Sequence, residues 1–339
     1  MIRCTIVTIL VVLVPSTLAS AAIPTSDFSL EVSPSPLVTT VKPGTSSTLT
    51  LKVRNASIQT EQLKIQARGF SIARPSEQIT ITPATPPDLA KWVSFSAPSF
   101  TVKPGEWFTQ TVTINLPDSA GFSYPFVLVI SRLDDPAQTS GGAAIKGTIA
   151  VFTLVNIDKP GATRQLELES FTVDRDIYEY LPTKFTMRLK NTGNSITQPY
   201  GNIYVQHPGA EGSPLAVLPV NEALNYILPG DTKEMRASWT NGFPHYEESK
   251  TAGGSISREL KWNWNDSASF RFGRYTAKIV AVYNNGIRDV PIVGEVSFWV
   301  IPWRILLGLL VVLILVGFGI WSITRRITHH TARLFRRKH

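Results

Sequence analysis

Ahead of position 304, the residues best able to carry catalysis or bind a metal are His207, His245 and the adjacent acidic pairs Asp134-Asp135 and Glu247-Glu248. A zinc or copper site needs several ligands converging on one point. The two histidines are far apart in the chain, and His329, His330 and His339 stand in the C-terminal tail with no carboxylate or cysteine beside them. Neighbouring carboxylates on a strand point to opposite faces, which is poor geometry for an acid and base flanking one glycosidic bond. Both acidic pairs therefore read as solvated loops. With no nucleophile elbow, phosphate-binding glycine loop or zinc spacing, no residue is assigned to catalysis, cofactor or metal, and the expectation is a protein that is not an enzyme and carries no cofactor.

Recognition is a different matter. Residues 240–272 gather Phe243, His245, Tyr246, Trp262, Trp264, Phe270 and Phe272 among Gly, Ser and charged side chains. In Lys261-Trp262-Asn263-Trp264 an extended backbone would set both indoles on one side. Exposed aromatic pairs offer large contact area at small entropic cost and suit sugar faces or peptides. Trp262, Trp264, Tyr246 and Phe243 are thus the candidate ligand-binding residues. The competing assignment is packing, with the rings plugging the end of a domain or resting on a neighbouring domain or on a membrane surface.

These residues have to be held by larger elements, the plainest of which is a span at 303–324. From Ile305 to Thr324 there is no charge, with Arg304 before the run and Arg325 and Arg326 after it, and Trp303 and Trp321 near the ends. Twenty residues of helix match a hydrocarbon layer of about 30 Å, and indoles favour its interfaces. At the other end, residues 1–21 carry a basic start at Arg3, an apolar run from Ile6 to Val14 and an Ala19-Ser20-Ala21 cleavage pattern, predicting a signal peptide. The single cysteine, Cys4, leaves with it.

Charge fixes the orientation. Of 33 Lys and Arg, Arg3, Arg304 and the six basic residues of the tail account for eight, leaving 25 between positions 22 and 303 against all 25 Asp and Glu. The exported part is therefore neutral and gives no footing for nucleic acid. The basic tail, 325–339, is placed in the cytoplasm by the positive-inside rule and the remainder outside, in a plasma membrane.

Between the two hydrophobic ends the chain reads as strands. Leu49, Leu51 and Val53 alternate, as do residues 63–67, 108–116, 166–173, 185–190 and 273–283, and Pro-Gly turns recur at Val41-Lys-Pro-Gly44, Val102-Lys-Pro-Gly105 and Leu228-Pro-Gly230. Short alternating strands punctuated by such turns predict an all-β chain of two tandem immunoglobulin-like sandwiches, at 22–158 and 165–302, joined by a linker at 159–164. The second carries the aromatic insert 240–272 and its last strand feeds the membrane helix.

Leu189-Lys-Asn-Thr-Gly-Asn194, Leu228-Pro-Gly230 and Gly273-Arg-Tyr275 resemble the immunoglobulin-like modules of bacterial and archaeal surface proteins. The two Val-Lys-Pro-Gly turns, the Ile114-Asn-Leu-Pro117 strand end and the apolar strand at 145–157 are similar to the N-terminal domain of the WxL-interacting cell-surface proteins of Gram-positive bacteria, whose plan of signal, two such domains, one span and a basic tail also matches. The resemblance implies attachment to peptidoglycan by the first domain and to secreted partners or host matrix by the second. It carries over no individual binding residue and does not cover the insert. The function expected is a single-pass surface protein that binds cell-wall polymer or surface proteins. The alternative is an accessory subunit of a membrane, secretion or pilus complex with a chaperone-like sandwich, which would need an edge strand open to a partner.

Overall fold

A computed structural model describes residues 28–73, 78–133, 147–209, 212–250 and 256–335. The signal segment 1–21, Asp134-Asp135, Gly141-Gly142 and residues 336–339 lie outside them. The chain is all-β, two immunoglobulin-like sandwiches followed by a single apolar helix. Its contacts resolve into two compact units. Among the described residues, one gathers 28–37, Thr48–Thr113 and Val127–Val151, and the other Val38–Ser47, Ile114–Phe126 and the chain from Phe152 onward.

The first eleven strands are β1 (Leu30–Ser33), β2 (Leu37–Val41), β3 (Ser46–Asn55), β4 (Glu61–Arg68), β5 (Phe70–Ala73), β6 (Gln78–Ile81), β7 (Val93–Phe95), β8 (Ser99–Val102), β9 (Trp107–Asn115), β10 (Ser123–Arg132) and β11 (Thr148–Ile157). They form a four-stranded sheet in the order β1-β3-β9-β7, a five-stranded sheet in the order β2-β11-β10-β4-β8 and the β5-β6 hairpin. Alternation does the sorting, because each strand turns every second side chain inward. Leu51 and Val53 of β3, Leu63 and Ile65 of β4 and Leu128 and Ile130 of β10 are buried. At the rim of this core Arg132 grips Glu61 through two bonds of 2.6 and 2.7 Å and lies over the Phe28 ring at 4.8 Å. The Pro-rich segment after β1 supplies β2, and the Pro-rich stretch before Val93 forms a short helix, α1 (Pro87–Trp92). Pro87 at the first helical position has no N–H to leave unpaired, so the helix starts there at little cost.

The later strands are β12 (Leu166–Val173), β13 (Ile177–Tyr178), β14 (Thr183–Asn191), β15 (Tyr200–Gln206), β16 (Ala216–Pro219), β17 (Thr232–Trp239), β18 (His245–Lys250), β19 (Ile256–Lys261), β20 (Gly273–Asn284) and β21 (Asp289–Val300). A three-stranded sheet, β12-β14-β17, faces a five-stranded sheet, β13-β21-β20-β15-β16. Phe185, Met187 and Leu189 from one and Tyr275, Ala277, Ile279 and Ala281 from the other make the core. Where β12 crosses β21 the approach is close enough that a Cβ on Gly294 would lie 2.6 Å from Leu168 Cδ2. Residues 159–164, expected to be a linker, are tied down. The Thr163 carbonyl accepts from the N–H groups of Asn194 and Ser195 at 3.0 and 3.1 Å, and the Thr163 N–H donates to Asn194 Oδ1 at 2.7 Å.

One arrangement occurs twice. In the first sandwich Asn55 Nδ2 donates to the carbonyls of Gln59 (2.6 Å) and Val102 (2.9 Å), its Oδ1 accepts from the Ser57 N–H, and its backbone pairs with Gly105 and Glu106 of the Pro-Gly turn. In the second, Asn191 Nδ2 donates to Ser195 (2.8 Å) and Ile227 (2.9 Å), Oδ1 accepts from Gly193, and the backbone pairs with Gly230 and Asp231. Gly105 and Gly230 hold φ of +76° and +75°, the left-handed region that glycine enters without strain.

After Val300 only Ile301 and Pro302 precede α2 (Trp303–Phe335). Its Trp303–Arg325 portion, 23 residues or about 35 Å, is long and apolar enough to cross a membrane. The helix continues past 324, so the start of the basic tail is a prolongation of the same rod.

Candidate functional site

The insert is built, not loose. β18 and β19 pair in register from His245 opposite Lys261 to Lys250 opposite Ile256. The hairpin is fixed to the sandwich at its base, where the Tyr246 N–H donates to the Leu181 carbonyl (2.8 Å) and the Phe243 N–H to Ser269 (2.9 Å). Further along, the Glu248 carboxylate takes Lys184 from β14 on one oxygen and Arg258 from the opposite strand on the other, the latter at 2.7 Å. Those partners, Lys184 first, hold the Glu248 carboxyl below its ordinary range.

Three of the four candidate ligand-binding residues meet. The Trp262 and Trp264 rings stack with centroids 5.9 Å apart and planes 27° from parallel, and Phe243 closes the cluster at 5.7 and 5.1 Å from them. Phe243 is the buried floor, 8% exposed, while Trp262 and Trp264 are 46% and 70% exposed. The indoles share a side by another route than the extended strand expected: β19 stops at Lys261, and Asn263 caps a 3-10 turn, Trp264–Ser269, by accepting the Asn265 N–H. The turn folds Trp264 back over Trp262. Phe270 and Phe272, at the exit from this turn, are also exposed.

Tyr246, the fourth, is engaged elsewhere. Its ring lies 5.8 Å from that of Tyr180, and its hydroxyl donates to Glu179 at 3.2 Å. Burial and then the Glu179 charge raise its phenol above the usual value. Glu179 in turn sits 3.4 Å from Arg304 Nε, and the Arg304 guanidinium lies 5.2 Å from the Trp303 ring centre. Arg304 therefore has a structural partner as well as a place at the start of the apolar stretch of α2. Arg325 lies over Trp321 at 5.5 Å; the Arg326 side chain is outside what is described. The histidines remain apart, His207 beside the Arg274 carbonyl and the Tyr275 ring, His245 beside the Gly242 carbonyl. Among the described residues no three of His, Cys, Asp and Glu gather where they could hold a metal.

The sequence reading passed over Glu179 and Trp299. Trp299 is an exposed, outward indole at the next-to-last position of β21, and the alternation Phe298-in, Trp299-out, Val300-in could have marked it. Glu179 carries no local signal, since its partners come from positions 246 and 304.

Phe243, the two indoles, Phe270, Phe272, Trp299 and the Arg304–Glu179 pair lie at one end of the second sandwich. Gly273 is opposite Val300 and Arg274 opposite Trp299 in the β20-β21 ladder, so the insert leaves the sheet where the sheet passes into α2. Beneath them Trp239, Tyr275, Phe298 and Phe185 form an aromatic plug, Trp239 5.2 Å from Tyr275 and 6.1 Å from Phe298. The arrangement can do stacking and dispersion chemistry against a flat or amphipathic partner, and the two rigid, half-exposed indoles lose little entropy in doing so.

No family model matches the chain, and a search of curated proteins finds no match either. Among solved structures it is similar to the CsuC–CsuE chaperone and tip-subunit pre-assembly complex of Csu pili from Acinetobacter baumannii (11% identity, 78% of this chain and 97% of that one, TM-score 0.36). It is also similar to the YadV chaperone (8%, 79% and 99%, 0.35) and to the CupB2 chaperone of Pseudomonas aeruginosa (11%, 69% and 100%, 0.33). At these scores the likenesses carry no argument about what the chain does.

Proposed function

We propose that this chain is a cell-surface protein held in the plasma membrane by α2, tail inside, presenting its two sandwiches to cell-wall polymer, peptidoglycan in the first instance, or to surface partner proteins. The observation that carries the reading is the direct passage of β21 into a helix of spanning length, with the Arg304–Glu179 pair bracing the joint. A neutral β-sandwich pair standing on such a helix is a display scaffold, and the domain plan is the one for which the resemblance to WxL-interacting proteins implies wall attachment.

The edges favour binding through side-chain faces over strand addition. Among the described residues of the four sandwich sheets, the outer strands β1, β2, β7, β8, β13 and β16 have five residues or fewer, and the longer ones, β12 and β17, carry Glu167 and Glu169 or Lys233, Glu234 and Arg236. Short or charged edges resist pairing with another chain.

The test is sedimentation of the full-length chain, in detergent, with purified peptidoglycan. Retention of the wild type and of a Trp262→Ala, Trp264→Ala variant alike is the expected outcome and places the wall contact away from the insert. Retention lost with the indoles assigns the sugar contact to them. No retention of either removes the peptidoglycan version.

A further inference from the structure

We infer that the aromatic end of the insert is a membrane foot: Trp262, Trp264, Phe270 and Phe272, with Trp299 and Trp303, rest in the headgroup layer of the same bilayer that α2 crosses. The inference rests on the anchoring reading above. All six rings are substantially exposed, a cluster of apolar surface that water disfavours. Indoles are favoured in the headgroup layer, where an apolar ring and a polar N–H are both accommodated. The fold places them there. From Val300 to Trp303 the chain covers at most about 10 Å, and Gly273, directly after Phe272, is level with Val300. The Phe272 N–H donates to the Tyr275 hydroxyl at 3.0 Å, which fixes that ring at the rim of the sheet. The backbones of Phe243 and Phe270 bridge, so the indole cluster on Phe243 shares the same rim. The uncharged run Ile305–Thr324 is about 30 Å of helix and fills a hydrocarbon layer of that thickness, so Trp303 and Arg304 just before it stand among the headgroups. The hairpin itself runs away from this end, since Tyr246 sits at Leu181 and Glu248 at Lys184 along the outgoing β14. Its rings stay behind at the base, on the side of the helix. A wall polymer would have to enter between sandwich and bilayer to reach them.

The test uses the full chain with Cys4→Ser and one labelling site at a time, Asn265→Cys in the 3-10 turn, Ile287→Cys at the opposite end, where it is 93% exposed, or Leu313→Cys within α2. Each is tagged with the environment-sensitive fluorophore NBD and reconstituted in phosphatidylcholine–phosphatidylglycerol vesicles that carry a nitroxide on the headgroup or deep in the acyl chain. The foot predicts that headgroup nitroxide quenches the label at 265 and leaves that at 287 bright, while acyl nitroxide quenches the label at 313. Adding Trp262→Ala and Trp264→Ala should largely abolish the quenching at 265 and leave that at 313 intact. A label at 265 as bright as the one at 287, with 313 quenched, overturns the foot and leaves the anchor standing. Quenching at 265 that survives loss of the indoles, or emission there that answers to added peptidoglycan fragments and not to lipid, overturns it too. An unquenched label at 313 removes the anchor and the foot together.

Discussion

Asn55 and Asn191 show what one side chain can contribute to this fold. Each is fully buried, donates two amide hydrogens to carbonyls that otherwise face the interior, and receives one backbone N–H on its oxygen. Removing the Asn191 amide deletes three hydrogen bonds at a fully buried position, at about 0.5–1.5 kcal/mol each, while the Ser195 and Ile227 carbonyls keep the Thr197 hydroxyl and N–H as partners. Asn191→Ala should therefore destabilise the second sandwich by about 1.5–4.5 kcal/mol, read as a fall in urea midpoint with unchanged slope. Loss of less than about 1 kcal/mol would mean that water replaces the amide. Both halves of the device are visible in the sequence as an Asn after a strand and as a Pro-Gly turn. Their union is not, because Asn191 finds Ile227 and Gly230 only after β15 and β16 have been laid down between them. Tyr246 illustrates the opposite failure. Proximity in sequence to Phe243 groups it with the indoles, yet strand alternation turns it toward Tyr180 and Glu179.

Among the elements, those with strict apolar alternation were legible: β14 buries Phe185, Met187 and Leu189, and β20 buries every second residue from Tyr275 to Tyr283. The β18-β19 hairpin was not, because HYEESK and ISRELK are polar on both faces and hold together by charge pairs that only the register reveals. That origin makes the hairpin sensitive to pH. With Lys184 and Arg258 in contact, Glu248 has a folded-state pKa lowered from its unfolded value. Its contribution is present in full above the ordinary carboxylate range and is lost as pH falls through the lowered folded value. Amide hydrogen exchange, corrected for its intrinsic pH dependence, should therefore show β18 and β19 losing protection on acidification before β14 and β20 do. In Glu248→Gln the hairpin should be less protected at neutral pH and should lose that step. Equal loss across all four strands would mean that the carboxylate contributes nothing local.

For the molecule as a whole, the proposed orientation rests on where charge is absent as much as on where it lies. The segment from 22 to 303 balances 25 basic against 25 acidic residues, and close to α2 the proposed bias comes from the tail, six Lys and Arg against Arg288 and Arg304 at 285–304. Arg325 is the first tail charge, held on Trp321 at the end of the apolar stretch, and the remaining five follow within the next thirteen positions, inside the range over which basic residues direct insertion. Replacing Arg325, Arg326, Arg333, Arg336, Arg337 and Lys338 by Gln should therefore leave a population with the tail outside, whereas Arg304→Gln should not. A C-terminal epitope tag reports the difference: protected from protease on intact cells in the wild type and in Arg304→Gln, partly digested in the six-fold variant. A wild-type tag digested on intact cells would invert the topology and put the sandwiches, the insert and its rings on the cytoplasmic face.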